Sequence, residues 1–255
     1  MQLTDQQRRM YRNDFANRCF RERGDKDYIA ARASYRAGLA EPFLWSALQA
    51  IEKYLKAILL YNGQSTQKLG HEINKAYRRV QRIPHIPLDI PDWVGQFIEY
   101  LNRNAPWRYL EASFFTMGRE LIELDWAVWH LRRYCEDLRA GPRGVDEDQI
   151  LQIKLAGLAF DRWKDRPHAF RLFGGYLEDI LDRRISQHDD SVRSALVWKN
   201  AVYGARRRKT LRNYRMRSSS ANAPHFLHKE SYYAVRDLVH FPKEIVRAIE
   251  EGDDE

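Results

Sequence analysis

The chain has 255 residues, of which 44% are hydrophobic and 31% charged, and carries a net charge of +8. That length suits one or two domains with a sizeable core. Thirteen Gly and nine Pro exclude a collagen-like or low-complexity chain and favour helical structure. Arg accounts for 32 of the 43 basic residues and Lys for 11. Arg forks pair bidentately with phosphate and carboxylate, so the bias permits a nucleic-acid partner, although genome composition gives the same bias.

The opening stretch MQLTDQQRRMYRNDFANRCF is charged throughout, so neither a signal nor a transit peptide is expected. No run approaches the roughly 20 apolar residues of a membrane span. Cys19 and Cys135 are too few for a disulfide framework or a metal cluster. These features lead to the expectation of a cytoplasmic protein with reduced thiols, no cofactor, no metal and no membrane partner.

In chain order, a helix is plausible over Arg12–Arg21, and a second runs from about Asp27 to Leu39 with Tyr28, Ala31 and Tyr35 on one face. Leu44, Leu48, Ile51, Leu55 and Ile58 recur at alternating steps of four and three, which predicts a helix with one buried seam. Pro42 falls in its first turn and Gly63 follows its last apolar position, as helix signals should. HEINKAYRRVQR reads as another helix, RIPHIPLDIP as a connection, and PDWVGQFIEYLNRN as a helix opened by Pro91. Over residues 110–138 the set Phe114, Met117, Leu121, Leu124, Val128, Leu131 and Cys135 keeps the same alternation and predicts one long helix. Cys135 then belongs to the core rather than to chemistry.

Residues 1–139 are therefore expected to form an all-α, up-and-down helical bundle. The stretch RAGPRGVDEDQ, 139–149, has the composition of a boundary. Residues 140–255 are read as a helical extension, with helices near 148–158, 169–186, 190–203 and 230–250 and a break at RSSSANAPHF. Within it, YGARRRKTLRNYRMR carries seven basic residues and no acidic one over 203–217. Arg206, Arg207, Arg208, Lys209, Arg212, Arg215 and Arg217, with Tyr214 and Tyr203 interleaved, are candidate nucleic-acid contacts: phosphate pairing by Arg and stacking by Tyr. A solvated loop or exposed helix face remains open for the same run.

A more specific pattern is Ala47-Leu-Gln-Ala50-Ile-Glu52-Lys53-Tyr54-Leu55-Lys56-Ala57-Ile58-Leu59, followed by a short Gly-containing loop, KLGHEI with His71, and Arg108-Tyr109 before the last bundle helix. In that order and spacing the chain resembles the HEPN family over roughly residues 26–139. The resemblance implies a small prokaryotic helical domain that binds nucleotide or RNA and pairs as a homodimer through its helices. It also admits a partner protein encoded nearby, as in a defence or toxin–antitoxin system.

Glu52 and Lys56 are four apart, which suits a helix-flank ion pair. The alternative is a polar nucleotide-binding groove of Glu52, Lys53, Lys56, His71, Arg108 and Tyr109, with His71 otherwise a cap or a solvent-facing residue. Ribonucleases of the family are implied to place a His after four to six residues beyond an Arg. After Arg108 those positions hold Ser113, Phe114 and Phe115. His85, His168 and His188 do follow an Arg at that distance, but chance gives as many hits in so Arg-rich a chain. No catalytic residue is assigned, and a metal-independent ribonuclease or a non-binding structural partner are the alternatives. His130 is expected to be packed, and His225 and His228 have no metal spacing.

Overall fold

In a computed structural model the protein is described over residues 3–105, 113–142, 144–183, 190–204, 218–241 and 243–251, apart from the Glu244 side chain. Helix α1 (Asp5–Phe15) starts from a reciprocal cap: Thr4 Oγ1 accepts from the Gln7 amide and the Gln7 side chain accepts from the Thr4 amide. It runs through a π-helical turn at Ala16–Arg21 into α2 (Glu22–Ala37). These elements extend the expected helices toward the N-terminus.

The centre of the fold is α3 (Ala40–Tyr61), which packs along α2. Thirteen of its residues are buried, from Phe43 to Tyr61, so its seam widens to more than half the helix surface. A helix apolar on that scale must be enclosed by others. α4 (Ile73–Val80), α5 (Asp92–Asn104) and α6 (Glu120–Arg132) close around it. Pro42 lies in the first turn of α3, and Gly63 takes a positive φ of 68° just beyond its end, a conformation that glycine adopts without steric cost.

The long helix expected over 110–138 is not continuous. Phe114–Thr116 form a short strand, β1, antiparallel to β2 (Ser219–Ala221), with Phe114 opposite Ala221 and Thr116 opposite Ser219. Gly118 at φ 86° turns the chain, and Glu120 accepts from the amides of Met117 and Gly118. The carboxylate thus holds the turn that precedes α6. Met117 of the expected seam is exposed, whereas Phe114, Leu121, Leu124, Val128, Leu131 and Cys135 are buried. Cys135 lies past the end of α6, and burial pushes its thiol pKa well up, as expected of an inert core residue.

The segment beyond 139 supplies α7 (Glu147–Leu158), α8 (Phe160–Trp163), α9 (Tyr176–Asp182) and α10 (Ser191–Val197). Leu151, Leu158, Leu177, Ile180, Leu196, Val202 and Tyr203 join the same core as α3 and α6. Further along, Pro224–Leu227, Lys229–Val235 and Lys243–Glu251 are helical, and Tyr232, Ile245 and Ile249 make a separate small cluster. No helix among the described residues is long and apolar enough to cross a membrane.

Candidate functional site

Glu52 sits on the flank of α3, and the chain leaves α3 through a loop that brings Gly70 and His71 back beside it. Lys56 Nζ donates to Glu52 Oε1 at 2.5 Å and to the Gly70 carbonyl at 2.8 Å. His71 Nδ1 lies 3.2 Å from Glu52 Oε1 and 3.1 Å from Oε2. The carboxylate is almost enclosed, with 6% of its side chain exposed, while that of His71 is 78% exposed. A buried carboxylate therefore holds one surface imidazole by its inner nitrogen and leaves the outer nitrogen to solvent. Lys56 thus joins the ion pair on the flank of α3 to the loop that carries His71.

Lys53 is not part of it. It faces α2, where Nζ donates to Asp27 Oδ2 at 2.6 Å and to Gln49 Oε1 at 3.0 Å. Arg108, Tyr109 and the basic segment from Arg206 to Arg217 lie outside the described residues. Tyr203, read as a stacking candidate, is buried edge to face against Tyr28 at 5.9 Å and cannot reach a base. Along the loop and α4 that follow, Lys68, Lys75, Arg78 and Arg79 are exposed, with Lys75 4.0 Å from the exposed Glu72.

Among the described residues, no histidine with Arg-to-His spacing is hydrogen-bonded to Glu52. His85 is exposed on a loop at φ 64°, His168 is exposed in a 3₁₀ turn, and His188 is outside the described residues. His130 is buried against Trp129 and Phe160, and burial together with the charge of Arg133 lowers its pKa to about 3. No cluster of His, Cys, Asp or Glu among the described residues could hold a metal ion.

Sequence reasoning gave no sign of a second set of charges, deep between α2, α6 and the later helices. Arg132 pairs with Asp25 through Nε at 2.7 Å and Nη2 at 3.0 Å, and with Glu178 through Nη1 at 2.8 Å and Nη2 at 2.7 Å. Arg32 pairs with Asp125, which also accepts from Tyr28 at 2.7 Å and the Ala201 amide at 3.0 Å. Burial pulls both guanidinium pKa values down, but the facing carboxylates reverse this and raise them. Every one of these charges is paired and hydrogen-bonded, as burial demands. They tie α9 and the segment after α10 to the bundle.

The architecture is that of a helical bundle whose central helix carries the buried Glu52 carboxylate with Lys56 and His71 beside it. Residues 18–124 match the family model of the HEPN domain, the family that the segments around Glu52 and His71 resemble. The match begins before the residues that bear the resemblance and ends within α6. No curated protein and no solved structure gave a match.

Proposed function

We propose that the protein binds nucleotide or RNA at the groove of Glu52, Lys56 and His71, with Arg108, Tyr109 and the basic segment 206–217 as added contacts. The observation that carries this reading is the carboxylate of Glu52, nearly enclosed, orienting a lysine and an exposed histidine, with Lys68, Lys75, Arg78 and Arg79 exposed along the loop and helix that follow. Phosphate oxygens are suitable partners for such donors. The chain then acts as a cytoplasmic homodimer, alone or with a protein encoded nearby.

A second reading, a metal-independent ribonuclease, is favoured by the same contact between Glu52 and His71. A histidine held at one nitrogen by a carboxylate can move a proton at the other. One experiment tests both: purified protein is incubated with a mixed RNA pool in EDTA, and retention and cleavage are followed. Retention that falls with salt, and that Lys56→Ala with His71→Ala weakens about tenfold, supports binding. Cleavage lost in His71→Ala supports the enzyme. Neither retention nor cleavage would overturn both and shift the role to protein partnership, which co-purification would show.

A further inference from the structure

The two-stranded ladder that stands where the long helix was expected to begin has an inner and an outer face. β1 buries Phe114 and Thr116 and turns Phe115 outward, with 53% of that residue exposed, because successive strand residues point to opposite faces. Ser220 stands opposite Phe115 on β2, and its side chain is too short to cover a cross-strand ring. Two residues on, Met117 is 59% exposed.

The Phe115 ring is braced. Tyr100 donates through its hydroxyl to the Phe115 carbonyl at 2.8 Å and meets the ring at 6.4 Å and 70°, while Tyr100 is itself stacked at 6.1 Å on the buried Phe97. Thr116 Oγ1 donates to the Ser219 carbonyl at 3.2 Å and accepts from the Ser219 amide at 2.9 Å, which fixes the register of the two strands. A ring held in this way loses little freedom when a partner lies on it.

Charge decides which partner suits the face. The basic run leads directly into β2: Arg212, Arg215 and Arg217 precede Ser219 by seven, four and two residues, and the sequence from 203 to 218 holds no acidic residue. At the end of β1, Arg119 is exposed three residues beyond Thr116. Cations with an exposed aromatic ring are the combination that takes the phosphates and bases of an unpaired strand.

We infer that the outer face of this ladder is a stacking platform for an unpaired base of RNA, with Phe115 beneath the base and Met117 at its edge. The inference rests on the RNA reading above and adds to it a second contact, selective for single strands. Duplex RNA keeps its bases inside the helix, so it meets the cations but not the ring. Stacking on the ring involves no charge and every base has a face, so this contact brings little base preference and leaves the salt dependence to the arginines.

Retention of single-stranded and of duplex RNA by the full chain, each at several salt concentrations, tests it. Phe115→Ala is expected to weaken single-strand retention about tenfold, the order of one lost base stack, and to leave the salt slope and duplex retention unchanged. Phe115→Trp is expected to bind as the natural protein does, whereas Phe115→Leu, apolar but without a ring, should lose as much as Phe115→Ala. Single-strand retention that ignores Phe115→Ala, or that Phe115→Leu preserves, would overturn the inference, and so would an equal loss on duplex RNA. If Lys56→Ala with His71→Ala weakens retention and Phe115→Ala does not, the platform falls and the groove stands. The reverse pattern removes the groove and keeps the platform. No retention of either RNA overturns both and leaves the outer face to a protein partner.

Discussion

Arg132 and Asp25 form a two-point ion pair in the protein interior, with Nε to Oδ1 at 2.7 Å and Nη2 to Oδ2 at 3.0 Å, and neither side chain reaches solvent. Nη1 and Nη2 of the same guanidinium also donate to Glu178 of α9. One residue at the end of α6 thus joins an early helix to a late one. Arg132→Ala leaves two carboxylates facing each other without a cation, and loss of one partner of a buried pair costs about 3–5 kcal/mol. Urea denaturation of the variant is expected to show that loss. A change below 1 kcal/mol would mean that water reaches the pair.

The network also makes an Arg-to-Lys exchange unfavourable. Lys places one compact ammonium where Arg132 presents a planar fork to two carboxylates. Arg132→Lys is expected to recover little of the stability lost in Arg132→Ala, on the order of 1 kcal/mol. Equal midpoints for Arg132→Lys and the natural protein would contradict the bidentate geometry.

His130 gives the fold an acid limb. In the unfolded chain an imidazole takes up its proton near pH 6.5, whereas in the fold burial and the Arg133 charge delay it to about pH 3. Between these values the unfolded state binds more protons, so stability falls as pH drops through that window and is unaffected above it. A shift of this size corresponds to at most about 4–5 kcal/mol. His130→Phe keeps a ring in place and removes the titration. The difference in unfolding free energy between the two proteins should change between pH 6.5 and 4 and be constant from 7 to 8. A flat difference throughout would show that the imidazole titrates normally.

The sequence carries the helices because their signals are local. The seam of α3, Pro42 in its first turn and Gly63 beyond its end are read from spacing alone, and Glu52 meets Lys56 because four residues make one turn. The contact between Glu52 and His71 was legible only as a resemblance, since the α3–α4 loop that creates it has no periodicity. Residues 114–117 misled the helical reading: their apolar spacing continues the seam, but Phe114–Thr116 pair as a strand, Gly118 turns the chain, and the helix begins only at Glu120, which holds the Met117 and Gly118 amides. The pairing of Arg132 with Asp25 and Glu178, and that of β1 with β2, join residues distant in sequence. Spacing contains no record of such meetings.

The basic segment makes a separable prediction. If Arg206, Arg207 and Arg208 contact phosphates, each contributes about one unit to the slope of log affinity against log salt. Replacing all three with Ala should lower the slope by about two on single-stranded RNA and about three on a duplex. An unchanged slope with unchanged affinity would assign the run to a solvated surface and leave Lys56 and His71 as the main contacts.

Glu52→Gln discriminates between orientation and simple charge. Removing a negative charge beside Lys56 and His71 raises the local potential, so if the groove attracts RNA only by its charge, affinity should rise, on the order of twofold to tenfold at low salt. If the carboxylate works by holding Lys56 at 2.5 Å and His71 at 3.1 Å, the amide cannot anchor an ammonium and an imidazole in the same way. Affinity should then fall although the site has become more positive. Retention assays at two salt concentrations read the sign of the change directly. A fall at both salts supports positioning by Glu52, and a rise confined to low salt reduces the groove to its electrostatic field.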